Sequence, residues 1–267
     1  MSAPPDGTIE RWAWDYVSAR TIAEKLAPPP PPTRWEDAPP PRRVAGPGRD
    51  PLLVLATKAE KSPGRDALRL PQKRAQVFHT FLHHEVQAAE LFAWALLAYP
   101  ETPRAFRDGL VRLVLDEVRH CGMYEAQLAR LGSRYGALPV RDWFWQRVPR
   151  CETPLAFVAL VGVGLEGGNL DHAPRFAERF RAVGDEEGAL VQELVAREEV
   201  PHVRFALQWF ERWSGGLAFD AWVAALPAPI TPILLRGDPI ARDARRRAGF
   251  PDAFVDEIAR WQARPSS

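Results

Sequence analysis

The sequence predicts an all-α fold: a bundle of four long helices, arranged as two antiparallel hairpins joined by a long crossover. Three observations carry this. Apolar residues recur at helical spacing through residues 72–215. Proline, threonine and glycine punctuate the ends of four segments. The first and last links between these segments span only a few residues, whereas the middle one runs from Ser133 to Glu152, so consecutive helices pair as hairpins and the middle link crosses over.

Residues 1–71 differ from the rest. Ile9, Trp12, Tyr16, Ile22 and Leu26 form one helical stripe, which the run Pro28 to Pro32 forbids from continuing, so a single short amphipathic helix is expected there. Pro28 to Pro51 is proline-rich with interspersed arginine and should form an extended strap without chemistry of its own. The first bundle helix is expected from Gln72 to Ala98, with Phe78, Leu82, Ala89, Phe92 and Leu96 on one face and Tyr99-Pro100 as its stop. Thr102-Pro103 reads as an N-cap followed by proline at the first helical position, opening a second helix that Gly132 ends. Thr153-Pro154 repeats that start for a third helix reaching about Ala182. Gly184-Asp185 turns into a fourth, which ends near Ser214-Gly215. Residues 216–267 form a C-terminal extension, with short helices expected at Phe219 to Leu226 and Pro251 to Trp261. The basic stretch between them, Arg236 to Arg247, links these helices in a structural tail; within it Arg242 to Arg247 reads as a solvated charged face, with contact to a phosphate-bearing substrate such as RNA as the alternative. The expected organisation is thus strap region 1–71, bundle 72–215 and extension 216–267.

Composition narrows the function classes. Thirty-five basic residues against 34 acidic ones leave a net charge of +1, which gives no electrostatic reason to expect nucleic acid or an anionic membrane as partner. No apolar run approaches the roughly 18 residues of a membrane span, and the N-terminus lacks a signal-peptide pattern. The two cysteines, Cys121 and Cys151, have neither disulfide-framework nor zinc-type spacing, so a cytoplasmic location is expected.

Chemistry concentrates in two motifs. The second helix contains Glu117-x-x-His120 and the fourth Glu199-x-x-His202; residues three apart share a helix face, so each motif offers one carboxylate and one imidazole to the same point. Each motif has a matching glutamate in the preceding helix: Glu85 stands 32 residues before Glu117, and Glu166 stands 33 before Glu199. In an antiparallel hairpin that separation brings the pairs to the same height. Glu85, Glu117, His120, Glu166, Glu199 and His202 therefore form a repeated set whose oxygen and nitrogen donors suit iron or manganese. Pro201 inside the second motif should kink the fourth helix, leaving two readings open, a local bulge or a plain bend. Gly162, Gly164, Gly167 and Gly168 around Glu166 leave two readings open, a close helix contact or a substrate cavity at the metals. Glu90 points well away from Glu85 and ranks behind it as a ligand. His79, His83, His84 and His172 read as hydrogen-bonded or surface histidines, and Trp143, Phe144 and Trp145 as anchors of the crossover.

With His83-His84-Glu85, the run Asp116-Glu117-Val118-Arg119-His120 and Phe144-Trp145, the chain resembles the ferritin-like di-iron carboxylate superfamily over roughly residues 8 to 215. Within it the chain is most similar to an uncharacterised branch grouped as a domain of unknown function. The resemblance implies a ferritin-like bundle in which Glu117 and Glu199 bridge two iron ions, or manganese or a mixed pair, while Glu85 with His120 and Glu166 with His202 complete the two spheres. It further implies that Asp116 and Glu198 accept the free ring N–H of a ligand histidine. Tyr124, one turn beyond His120, is a candidate proton or radical donor, with a core tyrosine as the plainer reading.

Three functions are consistent with this set. The first is an oxidase or monooxygenase that activates dioxygen to act on a small-molecule or nucleoside substrate, supplied by an electron donor; the superfamily includes a tRNA-hydroxylating enzyme of similar size. The second is metal handling, as ferroxidase or peroxide scavenger. The third is a metal-free helical interaction module. A monomer or dimer is expected rather than a storage cage, because strap and extension would cover the outer helix faces that a cage uses.

Overall fold

A computed structural model describes residues 2–58 and 62–262 of the chain, so residues 59–61 of the expected strap region and the last residues of the expected extension, 263–267, lie outside the described residues. Regular structure among the described residues is helical, with two isolated β-bridges, Thr8 with Arg34 and Leu55 with Val140. The fold is all-α. No helix among the described residues is long and apolar enough to cross a membrane. The chain divides into two compact units, Met1–Pro149 and Arg150–Ser267, each built on one pair of long helices.

In the first unit, α1 (Ile9–Ser18) and α2 (Ile22–Leu26) replace the single helix expected from the apolar stripe. The break has a local cause. Thr21 accepts from the Glu24 backbone N–H while the Glu24 carboxylate accepts from the Thr21 N–H, a capping box that starts a new helix. The strap that follows is ordered. Gly48 N–H donates to Val17 O at 2.8 Å, Arg42 N–H to Leu97 O at 2.7 Å, and the Trp94 indole N–H to Val44 O at 3.0 Å. Gly48 passes so close to α1 that a β-carbon there would lie 2.2 Å from Ser18 O.

The long pair of this unit is α3 (Pro71–Ala98) and α4 (Arg104–Arg130), packed on each other. Pro71 opens α3, where its missing N–H costs no helical bond. The start of α4 differs from expectation by one residue: Pro103 is itself the cap position, and the Thr102 hydroxyl donates back to Tyr99 O at 2.8 Å instead of capping α4.

In the second unit, Thr153 caps α5 (Pro154–Val158) by accepting from the Ala156 N–H. The helix then widens into a π-helical segment, Ala159–Glu166, before continuing as α6 (Gly167–Arg181). The expected distortion near Pro201 is not where the bulge forms, since α7 (Glu186–Ser214) is α-helical through that proline. Two local features explain the π segment. Gly162 and Gly164 remove the side chains that would crowd a widened turn, and the Trp222 indole N–H takes the Ala159 carbonyl at 2.8 Å, freeing it from a normal helical partner. The Gly167 N–H reaches Gly162 O, five residues back.

Asp185 caps α7, and Gly215 ends it at φ 81°, the left-handed conformation glycine adopts at little cost. The tail carries α8 (Phe219–Ala225), α9 (Arg242–Ala248) and α10 (Asp252–Arg260). In α9 the solvated-face reading of residues 242–247 holds for the exposed Arg242, Arg246 and Arg247 but fails at Arg245. Arg245 is fully buried: its Nη2 donates to Asp171 Oδ2 at 2.6 Å and its Nε to Oδ1 at 3.2 Å. The same carboxylate accepts from the Gly237 and Ala241 N–H groups, so Asp171 ties the tail to α6.

Candidate metal centre

Each unit carries one Glu, Glu, His triad. In the first, Glu117 and His120 sit one turn apart on α4, behind the buried stripe Leu110, Leu113 and Val114, with neither side chain exposed. Glu85 is buried on α3. His120 Nδ1 stands 3.2 Å from Glu117 Oε2, and ligand atoms of Glu85, Glu117 and His120 lie within 4.8 Å of one another.

The second unit repeats this arrangement. Glu199 and His202 are buried on α7, and Glu166 is buried at the last π-helical position before α6. His202 Nδ1 stands 3.2 Å from Glu199 Oε2, the same separation as in the first triad, and Glu166, Glu199 and His202 bring ligand atoms within 4.8 Å of one another. The donor chemistry fits a metal. Bonds of about 2.0–2.2 Å put neighbouring ligands of an octahedral ion about 3 Å apart, close to the observed imidazole–carboxylate distance. Oxygen-rich sets with imidazole suit iron and manganese.

One polar neighbour was not read from the sequence. The Asn169 amide donates from Nδ2 to Glu199 Oε1 at 3.1 Å. Asn169 follows Glu166 by three residues and so shares its face, a spacing that would have found it. Of the residues suggested as helpers, Tyr124 is buried with its ring against Phe78 and Phe81, at 6.0 and 5.7 Å. Asp116 is half-exposed, with Arg119 of its own helix 3.4 Å away, and Glu198 is half-buried.

The glycines around Glu166 are filled in by neighbours in their own unit. A β-carbon on Gly162 would lie 2.2 Å from that of Ala206, one on Gly164 would meet the Leu235 side chain at 2.8 Å, and one on Gly168 would lie 3.2 Å from Leu235 O. Gly167 faces Arg245 and Phe250 at 3.6 Å. Close packing therefore accounts for Gly162, Gly164 and Gly168, whereas a β-carbon on Gly167 would make only ordinary contacts.

Glu90 and the extra histidines have another task. Glu90 is fully buried between Lys25, at 2.9 Å, and Arg49, and it accepts from the Trp145 indole N–H at 2.7 Å. Burial works to raise its carboxyl, but the two cations outweigh it and hold the group below the usual range. Arg49 also pairs with Asp142 at 2.8 Å, whose second neighbour is His83 Nε2 at 3.1 Å; His83 Nδ1 in turn meets the Tyr135 hydroxyl at 2.6 Å. Although burial opposes it, His83 and Arg49 bring Asp142 down to about 2. His79 Nε2 accepts from the Gly136 N–H at 2.9 Å, and His84 stacks on Phe144. These groups pin strap and crossover to α3 within the first unit. In the second, His172 Nδ1 faces Arg175. Cys121 and Cys151 are both buried.

The family model described as a protein of unknown function (DUF455) matches residues 9–256. An uncharacterised protein of Haemophilus influenzae is 24% identical over 250 residues, which cover 89% of this chain and 85% of that protein. No solved structure matches.

Proposed function

The chain belongs to the DUF455 family, and we propose that it is a dimetal, di-iron carboxylate protein of ferritin-like architecture that activates dioxygen to oxidise an organic substrate. In this reading α3, α4, the helix running from α5 through α6, and α7 are the four helices of a ferritin-like bundle. The observation that carries the proposal is the recurrence, in both halves of one chain, of a buried glutamate beside a buried Glu-x-x-His with the same 3.2 Å imidazole–carboxylate spacing.

Charge supports the same conclusion. Four buried carboxylates cost several kcal/mol each unless something compensates them, and two divalent cations balance four glutamates while leaving both imidazoles neutral. Glu85, Glu117 and His120 from the first unit and Glu166, Glu199 and His202 from the second would hold the ions. When bound, the metal pair supplies the redox equivalents and Lewis acidity for dioxygen chemistry. The protein contributes fixed carboxylates, neutral imidazoles held next to them, and apolar walls that exclude bulk water: Leu110, Leu113 and Val114 on α4, Val195 and Val203 on α7.

The test is metal analysis of the full chain purified without chelator, beside the double variant Glu117→Ala, Glu199→Ala, followed by absorption spectra after Fe(II) and air are added. About two irons per chain, lost in the double variant, with the near-ultraviolet absorption of a ferric pair, is the expected result. A chain that takes up no metal on reconstitution overturns the proposal.

A further inference from the structure

The two triads match in ligand type but differ in what holds them. If α3 and α4 are overlaid on the second pair by their ligands, Glu85 corresponds to Glu166, Glu117 to Glu199 and His120 to His202. At the same register Phe81 corresponds to Gly162, Tyr124 to Ala206 and Ala88 to Asn169. The first two exchanges are a matter of packing: Phe81 and Tyr124 stack in the first unit where Gly162 and Ala206 close together in the second. The third exchange concerns the ligand itself, because Asn169 has a hydrogen-bond donor and Ala88 has none.

Glu199 is fully buried, and its two oxygens have different neighbours in its own unit. Oε1 accepts from the Asn169 amide at 3.1 Å, while Oε2 stands 3.2 Å from His202 Nδ1. The amide must present nitrogen, because its oxygen against a carboxylate oxygen would set two acceptors together. Asn169 therefore fixes the rotation of the carboxylate about its last bond and holds Oε2 beside His202 Nδ1.

Resting on the dimetal reading above, we propose that Asn169 is a positioning residue for Glu199 and makes the His202-side metal position unlike the His120-side one, so that the two ions bind with unequal affinity. Partners of this kind, hydrogen-bonded to a metal ligand, are typically worth about 10- to 100-fold in metal affinity. Asn169 is only half-buried, so truncating it should leave the metal-free fold intact.

The experiment is a titration of the metal-free full chain with Mn(II) under anaerobic conditions, following free Mn(II) by electron paramagnetic resonance, with a thermal melt of each metal-free variant as control. In Asn169→Ala one of the two ions should bind about 10- to 100-fold more weakly, with the other changed less than about threefold and the metal-free melt unmoved. Asn169→Gln, which keeps the amide on a longer arm, should recover part of the loss. In the background Glu85→Ala the Asn169-sensitive ion should persist, and in Glu166→Ala it should be the ion lost. Equal weakening of both ions, or no weakening of either, overturns the inference while leaving the dimetal reading in place. Wild-type chain that binds no Mn(II) and no Fe(II) overturns both.

Discussion

Gly162 and Ala206 approach so closely that a β-carbon on the glycine would lie 2.2 Å from the alanine's own, and this contact joins the π-helical segment to α7 one turn past His202. Gly162→Ala should therefore destabilise the protein by about 1–3 kcal/mol through overpacking, although alanine is the better helix former. Gly122, exposed on α4 with open space around its position, provides the opposite case. Gly122→Ala should stabilise by up to about 1 kcal/mol. Urea unfolding of the two variants checks the difference in sign.

Glu90 holds a buried charge network between α3, the strap and the crossover. Glu90→Ala leaves Lys25 and Arg49 without their shared counter-charge and should cost about 3–5 kcal/mol. It should also make residues 28–51 more open to limited proteolysis than in the wild type. A variant that melts like wild type with the strap still protected would contradict this account.

His79 makes stability depend on pH. Burial, with His83 nearby, lowers its pKa from 6.5 to about 4, and its Nε2 must stay unprotonated to accept from the Gly136 N–H. The folded state therefore binds the proton less readily than the unfolded state. The contribution is fully present above pH 6.5 and is lost as the pH falls toward 4, amounting to at most about 3 kcal/mol. His79→Gln, which keeps an acceptor but does not titrate, should flatten unfolding free energy over that window relative to wild type.

Asp171 accepts from Gly237, Ala241 and Arg245 together. Asp171→Ala should cost about 3–5 kcal/mol, because Arg245 remains buried without its counter-charge. Protease cleavage between α8 and α9 would report the released tail, and an uncut tail at native temperature would show that other contacts suffice.

The long helices were legible because their ends carry punctuation whose chemistry is local: Tyr99-Pro100, Thr153-Pro154, Asp185 and Gly215 act within a few residues of themselves. The Glu-x-x-His pairs were legible for the same reason, since i and i+3 residues share a face whatever the fold, whereas Glu85 and Glu166 were found only through the spacing of an antiparallel hairpin. What escaped was of two kinds. The π segment has no period of its own in composition, and its cause includes Trp222, 63 residues from the carbonyl it takes. Arg245 looked like part of a solvated run because its partner Asp171 lies 74 residues earlier in the chain. The break between α1 and α2 was readable in principle from Thr21 and Glu24, but the apolar stripe continues across it and hides the new start.

The strap also fixes an order of events during synthesis. Arg49 is bonded to Glu90 and Asp142, which follow it by 41 and 93 residues. A growing chain has made Arg49 before it has made either acceptor, so the strap's contacts with α1 can form first, while the pairing of Arg49 waits until α3 and then the crossover have been made.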